Sequence, residues 1–285
     1  MSKGAGPLRV AFQGERGAFS EEAAVKLLGE GVQLVPRPTF ESLFAAVGEG
    51  AADFALAPVE NTLAGSVHRV YDLLLDSPLH MTAEVVIPIR HFLIGLPGSK
   101  AEEIRTVESH PVALAQCERF FASRPDIRRV AADDTAGSVA NVLRREDPTC
   151  AAVAGRRAAE IYGGQILREG LEDHRENYTR FVLLSPEPSD EKAADKLSLV
   201  LKLAHRPGAL HHALEPFARR KLDLLKIESR PLRGQPWEYH FYLDLRAPAG
   251  DPGLAAALEE LRERAADVRV LGHYKAEVGT MNAER

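Results

Sequence analysis

ENYTRFVLLS, residues 176–185, joins two chemistries that a strand filling a core would keep apart. Phe181 to Leu184 are four apolar residues in a row and read as a buried β-strand. An amide, hydroxyls and a guanidinium stand at its mouth. In an extended chain alternate side chains share a face, so Asn177, Thr179 and Phe181 point one way and Tyr178 and Arg180 the other. From the residues alone two readings of this mouth stay open. Thr179 is an ordinary β-branched strand residue and Arg180 a surface charge, or the polar group faces a ligand.

Upstream, apolar β-rich runs alternate with helical patterns. Strands are expected at LRVAF (8–12), VQLV (32–35), FALAPV (54–59), EVVIPI (84–89), CAAVA (150–154) and FVLLS (181–185). Helices are expected near 20–28, 40–49, 66–76, 111–124, 135–146 and 155–162. This rhythm predicts βα units and mostly parallel sheets, as one sheet or two small lobes. PEPSDEKAAD (186–195), with two prolines and four acids, reads as a linker. Beyond it come LSLVLKL (197–203), a helix in PGALHHALEPFARR (207–220), and LDLLKIESR (222–230). RGQPW (233–237) supplies a turn before YHFYLDLR (239–246). The helix PGLAAALEELRERA (252–265), the strand VRVLGHY (268–274) and a frayed end over 275–285 complete the chain. That order is βαββαβ, the ferredoxin-like arrangement.

The chain has 285 residues, 45% of them hydrophobic, enough for a sizeable core and about two domains. Its net charge of -5 is spread along the sequence, which points to no nucleic-acid partner. No apolar run approaches the roughly 18 residues of a membrane span, so no membrane partner is expected. Residues 1–7 lack the apolar stretch of a secretory signal. Cys117 and Cys150 lie in apolar surroundings, which suits free thiols and a cytoplasmic location. No Cys–His cluster has metal-ligand spacing and no GxxxxGK[ST] stretch occurs; no cofactor or metal is expected.

Three strand-to-helix junctions stand out: APVENTLAGSV (57–67), ESHPVALAQC (108–117) and ADDTAGSVA (132–140). Pro111 suits a first helical turn, and Asp134 or Thr135 can cap. Free backbone N–H groups and the positive end of a helix dipole would together suit an anion. Taken singly each junction is a cap, and His110 a loop or capping histidine. Gly14 and Gly17 in FQGERGAFS (12–20) depart from GxGxxG and read as a plain strand-to-helix turn.

PVENTLAGSVHRVYDLL (58–74), SHPVALAQC (109–117) and NYTRF (177–181), in this order, resemble the dehydratase module of prephenate dehydratase. RPGALHHALEPF (206–217) and IESRPLRGQPWEYHFYLDL (227–245) resemble the regulatory ACT domain fused to it. The resemblance spans about residues 8–275. It implies an α/β architecture: a two-lobed, type 2 periplasmic-binding-protein-like catalytic module over 8–185, a linker over 186–195, and a ferredoxin-like βαββαβ ACT domain over 196–275. With no helical chorismate mutase segment before residue 8, the chain resembles the monofunctional form.

The resemblance further implies decarboxylating dehydration of prephenate to phenylpyruvate in phenylalanine biosynthesis, without cofactor. L-phenylalanine would be the allosteric effector, and a homodimer or homotetramer the assembly. Asn61, Gln116 and Thr179 map onto the catalytic residues. Thr62, Ser66, Ser109, His110, Thr135 and Arg180 are the expected substrate contacts. Gly208, Ala209, Leu210, Glu228, Ser229 and Arg230 are the expected effector contacts. Thr179 would orient and polarise the departing hydroxyl, since a threonine hydroxyl is too weak an acid to act alone. Arg180, on the opposite strand face, is expected to pair with a carboxylate of the protein. Two departures stand out: Val112 makes SHPV of the family's usual SHPQ, and His205 stands where an asparagine is common. Arogenate dehydratase and a non-catalytic small-molecule-binding protein are the alternative readings.

Overall fold

The computed structural model describes residues 6–189, 192–232, 234 and 238–277. Parts of the expected linker (190–191), turn (233, 235–237) and frayed end (278–285) lie outside the described residues. The chain divides into two units, Met1–Ser77 with Val85–Val182, and Pro78–Glu84 with Leu183–Arg285.

The first unit holds two lobes. The chain opens with β1 (Arg9–Gln13), α1 (Phe19–Leu28), β2 (Gln33–Arg37), α2 (Phe40–Gly48), β3 (Phe54–Asn61), β4 (Gly65–Ser66), α3 (His68–Asp76) and β5 (His80–Pro88). Val10, Ala11 and Phe12 of β1 are wholly buried, which is the signature of a central strand covered on both faces. β1 runs parallel to both β2 and β3. α2 begins at a capping box: Thr39 accepts from Ser42 N and Ser42 Oγ from Thr39 N, each at 3.2 Å.

The second lobe contains β6 (Phe92–Gly95), β7 (Thr106–Ser109), α4 (Pro111–Ala115), α5 (Glu118–Ser123), β8 (Arg128–Ala131), α6 (Thr135–Arg145), β9 (Cys150–Ala154), α7 (Arg156–Tyr162) and β10 (Gln165–Arg168). Its sheet order is β10-β6-β9-β7-β8. Then β11 (Tyr178–Ser185) returns to the first sheet, whose order is β2-β1-β3-β11-β5. The chain therefore crosses between the lobes twice, at 89–91 and again before Tyr178. The lobes also meet at Glu21, wholly buried, whose carboxylate accepts from Arg16 and from Arg157 of the second lobe, each at 2.8 Å. Burial pushes this carboxyl up, but the two guanidinium groups and the Gly17 N–H together hold it below the usual range.

The structure departs from three expectations. The sheets are not mostly parallel in the second lobe: β6 and β10, by which the chain enters and leaves, pair antiparallel. The helix expected over 111–124 is two helices broken at Gln116–Cys117. Asp173 accepts from the backbone N–H groups of Glu118 and Arg119, both at 2.9 Å, and so starts α5 afresh. The helix expected from residue 66 starts at His68, because Gly65 and Ser66 fold back on β3 as a two-residue strand.

After Ser185 come β12 (Lys196–Lys202), α8 (Ala209–Arg219), β13 (Leu224–Pro231), β14 (Tyr239–Arg246), α9 (Pro252–Arg264) and β15 (Asp267–Tyr274). This is the βαββαβ order, folded as an antiparallel sheet β13-β14-β12-β15. Leu197, Leu199 and Leu201 alternate into a core with Phe217, Leu243, Leu245, Leu254 and Leu261. On the opposite face Ser198 bonds Asp244 at 2.6 Å and Tyr274 at 2.8 Å. Among the described residues no helix is long and apolar enough to cross a membrane.

Gly272 of β15 lies against residues 78–84, where a Cβ would stand 2.0 Å from the Met81 carbonyl oxygen. Gly272→Ala should therefore force a backbone shift and destabilise by about 1–3 kcal/mol. Gly48→Ala, where nothing lies within 4 Å, should be nearly neutral. Thermal unfolding of the two variants beside the parent checks this.

Candidate active site

A cavity of about 410 Å³ opens in the first unit. Phe19, Phe40, Val67 and Ile89 give it an apolar wall; Asn61, His91, His110, Gln116, Thr135 and Thr179 supply polar groups. Asn61 ends β3 and Thr179 lies near the start of β11, neighbouring strands of one sheet. Gln116 sits at the break between α4 and α5, where its backbone carbonyl accepts from Asp173 N at 2.8 Å. The break turns its side chain toward the cavity.

These groups are joined in one directed chain of hydrogen bonds. Asn61 Oδ1 accepts from the backbone N–H groups of Leu63 (3.0 Å) and Ala64 (2.8 Å). Backbone amides can only donate, so the Asn61 amide has one orientation. Its Nδ2 donates to Asn177 Oδ1 (2.8 Å) and Thr179 Oγ1 (2.9 Å), with Tyr178 O at 3.0 Å sharing the same hydrogens. Asn177 Nδ2 in turn donates to Gln116 Oε1 at 2.9 Å. Gln116 Oε1 also meets His91 Nε2 at 2.9 Å, which must therefore carry a proton. Two consequences follow. The Thr179 hydroxyl accepts from Asn61, so its own proton is free to point into the cavity. Gln116 Oε1 is occupied twice, so its Nε2 donors are the atoms left for a ligand.

Both crossing segments are stitched beside this chain. Ile89 N donates to Asn177 O (2.8 Å), Leu171 N to His91 O (3.0 Å) and His91 N to Glu172 Oε2 (2.9 Å). The His91 ring is 1% exposed and packs edge-on to Phe19 with centroids 5.8 Å apart. Burial pulls its pKa below the usual histidine range, against the hydrogen bond to Gln116 and the charge of Glu172.

Of the other expected substrate contacts, His110 and Thr135 line the cavity. His110 Nδ1 accepts from Val112 N at 3.2 Å, which leaves Nε2 as the donor. Asp134 caps α6 by accepting from Gly137 N at 2.6 Å. The helix starts at 110 and 134, inferred from sequence to hold an anion, are thus partly taken up by their own side chains, while α3 starts at His68, next to the cavity-lining Val67, with no side-chain cap. Ser66 is a strand residue. Ser109 is wholly buried and donates to Val153 O at 2.6 Å. Thr62 bridges backbone, donating to Glu176 O and accepting from Tyr178 N. Arg180 lies 3.5 Å from Glu60, on the strand face away from Thr179. None of these four lines the cavity.

Sequence reasoning gave no role to Asn177 or His91. Asn177 shares a face with Thr179, a signal that was available. A lone histidine after a strand carries none.

In the second unit a smaller cavity of about 130 Å³ is lined by Ala209 and Leu210 with His205, Arg206, Glu238 and Tyr239. Gly208 precedes α8 at φ 80°, a left-handed conformation that favours glycine. Glu228, Ser229 and Arg230 lie on the edge strand β13 and do not line that cavity in the same chain.

A family profile described as prephenate dehydratase matches residues 10–189, and one described as ACT domain matches residues 173–263. The chain belongs to the prephenate dehydratase family. Arogenate dehydratase 1 of Petunia hybrida is 43% identical over 283 residues, covering 94% of this chain but 66% of its own length. The prephenate dehydratase of Arthrobacter aurescens, solved with L-Phe, is 30% identical with a TM-score of 0.85, over 94% of this chain and 90% of that one. A structure described as a quorum-quenching acylase is 33% identical with a TM-score of 0.86, over 95% and 98%. This dehydratase module and its ACT domain thus share a fold with proteins of more than one described activity.

The buried His91 makes a pH prediction. Its folded pKa is depressed, whereas in the unfolded chain it takes up a proton near pH 6.5. Between those values the unfolded state binds more protons, so stability is lost as pH falls below about 6.5. His91→Gln cannot titrate there, and its stability should fall less than the parent's between about pH 7 and pH 5. Urea unfolding of both across that window measures the difference.

Proposed function

We propose that the chain is a prephenate dehydratase, converting prephenate to phenylpyruvate for phenylalanine biosynthesis. The observation that carries this is the Thr179 hydroxyl, held by Asn61 so that its proton is the free one. In the reaction the bond to the ring carboxylate breaks and carbon dioxide leaves. Its electron pair enters the ring, the ring C–OH bond breaks, and the departing oxygen takes up a proton to leave as water. The ring becomes aromatic, so the protein has to align and polarise. Thr179 donates a hydrogen bond to the departing oxygen as charge builds there, with the proton drawn from solvent. Donation from Asn61 strengthens the threonine O–H as a donor. Gln116 Nε2, His110 Nε2 and the Thr135 hydroxyl are the donors that face the substrate carboxylates.

A second reading is dehydration of arogenate, the amino analogue. Asp133 and Asp134 line the cavity and, among the described residues, no lysine or arginine does, which suits an ammonium group; the Petunia relative is named for arogenate. Turnover of both substrates by one preparation ranks the two. Release of an acyl group from an amide, with neither dehydration, would overturn both in favour of acylase chemistry.

The regulatory part of the proposal is inhibition by L-phenylalanine in a homodimer or homotetramer. It is supported by the ACT profile and by the L-Phe bound in the Arthrobacter structure. Gly208, Ala209 and Leu210 would take the carboxylate and ring, and Glu228, Ser229 and Arg230 of a second copy the ammonium side. Edge strand β13 exposes Leu225 and Ile227, at 42% and 44%, which suits pairing. A compartment that keeps Cys117 and Cys150 reduced, the cytoplasm, fits both buried free thiols.

Thr179→Ala should lower kcat by about a hundredfold or more, and Thr179→Ser far less, since the serine keeps the hydroxyl. Asn61→Ala and Gln116→Ala should also cripple turnover while circular dichroism stays unchanged; a near-normal rate in Thr179→Ala would sink the assignment.

The regulatory test keeps the whole chain, because residues 78–84 pack on the second unit through Met81 and Gly272 and through the buried Glu84–Lys196 pair at 2.8 Å. Gly208→Val meets both the left-handed φ and the His212 ring at 3.3 Å. It should abolish phenylalanine binding by calorimetry and phenylalanine inhibition while basal turnover persists.

A further inference from the structure

We infer that His91 is a positioning residue for this reaction, locking the Asn61–Asn177–Gln116 chain from its far end as a neutral Nε2–H donor. The inference about rate rests on the dehydratase reading; the inference about the tautomer does not.

Each amide in the chain could in principle turn over and exchange its oxygen with its nitrogen. At one end this is blocked, because the Leu63 and Ala64 N–H groups require an oxygen at Asn61. At the other end Asn177 and His91 prevent it together, by donating to the same oxygen. With Nε2 protonated, the histidine requires an oxygen at Gln116, and Asn177 Nδ2 requires the same oxygen. With Nε2 bare, two acceptors would face each other at 2.9 Å. Gln116 would then turn its Nε2 toward His91 and away from the cavity, leaving Asn177 Nδ2 without an acceptor. Asn177 cannot turn in response, because its Oδ1 is the acceptor for Asn61. The chain thus has one fully satisfied state, and that state is complete only with His91 as the Nε2–H tautomer.

The surroundings of the ring hold that tautomer. Its backbone is tied on both sides, to Glu172 and Leu171, and its ring is packed against Phe19. The second nitrogen, Nδ1, is buried without a hydrogen-bond partner. A buried acceptor left bare is unfavourable. Leucine would fill the same volume without that penalty, so what histidine contributes here is the Nε2–H. Glu172, the carboxylate whose charge acts on the ring, is bound to the His91 backbone N–H and lies 3.7 Å from Arg90, so its charge is shared with other partners. His110, the other cavity histidine, is held as an Nε2–H donor by Val112 N. Both rings thus donate from Nε2, His91 to Gln116 and His110 toward the cavity.

The experiment has two arms. In the first, ¹⁵N-histidine spectra of the parent protein near pH 7 are assigned to His91 by the signals missing in His91→Gln. The expected result is one tautomer with Nε2 protonated and Nδ1 bare. A protonated Nδ1, in either the neutral or the cationic ring, overturns the inference whatever the enzyme turns over. In the second arm, His91→Leu removes the donor and His91→Gln replaces it with an amide N–H. His91→Leu should lose about thirtyfold or more in kcat with a smaller change in KM, and His91→Gln should recover most of that loss. Equal losses in two variants that both fold would mean a merely structural role and overturn the inference, as would parental kcat in His91→Leu. If His91→Leu does not fold, the spectra and the rate of His91→Gln decide. If the parent turns over neither prephenate nor arogenate, the proposed function fails and the spectra still decide the tautomer.

Discussion

Two backbone N–H groups, those of Leu63 and Ala64, decide which way the polar groups along the Asn61–Thr179–Gln116 chain point. They fix the Asn61 amide, and from it the directions of Asn177, Thr179 and Gln116 follow by elimination of donors and acceptors. The turn that presents them exists because the chain leaves β3 and folds straight back at Gly65–Ser66. Gly65 stands there at φ 81°, which a residue with a side chain rarely adopts. A local backbone conformation thus sets the chemistry of side chains more than a hundred residues away in sequence.

The lobes are joined where this chain of bonds runs. Asn61 belongs to the first lobe and Gln116 to the second, while His91 and Asn177 sit on the two crossing segments between them. A second junction forms at Glu21 with Arg157, beside Gly17, whose Cβ would stand 2.7 Å from Ala158 Cα. The buried carboxylate there is matched by two guanidinium groups and a backbone N–H, so it stays charged despite its burial. Polar, fully paired junctions of this kind define how two surfaces meet more narrowly than an apolar contact of the same size would.

Much of the fold was legible from apolar period and order, and the βαββαβ unit was read from both. Strands such as TVES (106–109) and RRVA (128–131) were missed, because four residues give too short a run and two arginines hide its apolar character. The split of α4 from α5 was hidden for another reason. Its cause, the carboxylate of Asp173, is 55 residues from Glu118 in the sequence. In the candidate site the motif residues Asn61, Gln116 and Thr179 fall together, as do His110 and Thr135. Ser66, Ser109 and Thr62 came in with the family motifs that hold them, and a sequence does not say whether a hydroxyl faces a cavity or its own backbone. The tautomer of His91 is the least legible feature of all, since it depends on amides from three distant segments.

The position of β11 has a consequence for how the molecule is made. It is the last strand of the first sheet to be synthesised, yet it lies between β3 and β5. As the chain emerges from the ribosome, the first sheet remains two fragments with an open slot until residue 185 has appeared. The second lobe, contiguous from Phe92 to Arg168, meets no such delay. Thr179 rides on the strand that closes the slot, so the strand that completes the sheet also delivers the hydroxyl, and no half-built precursor can carry the full set of polar groups.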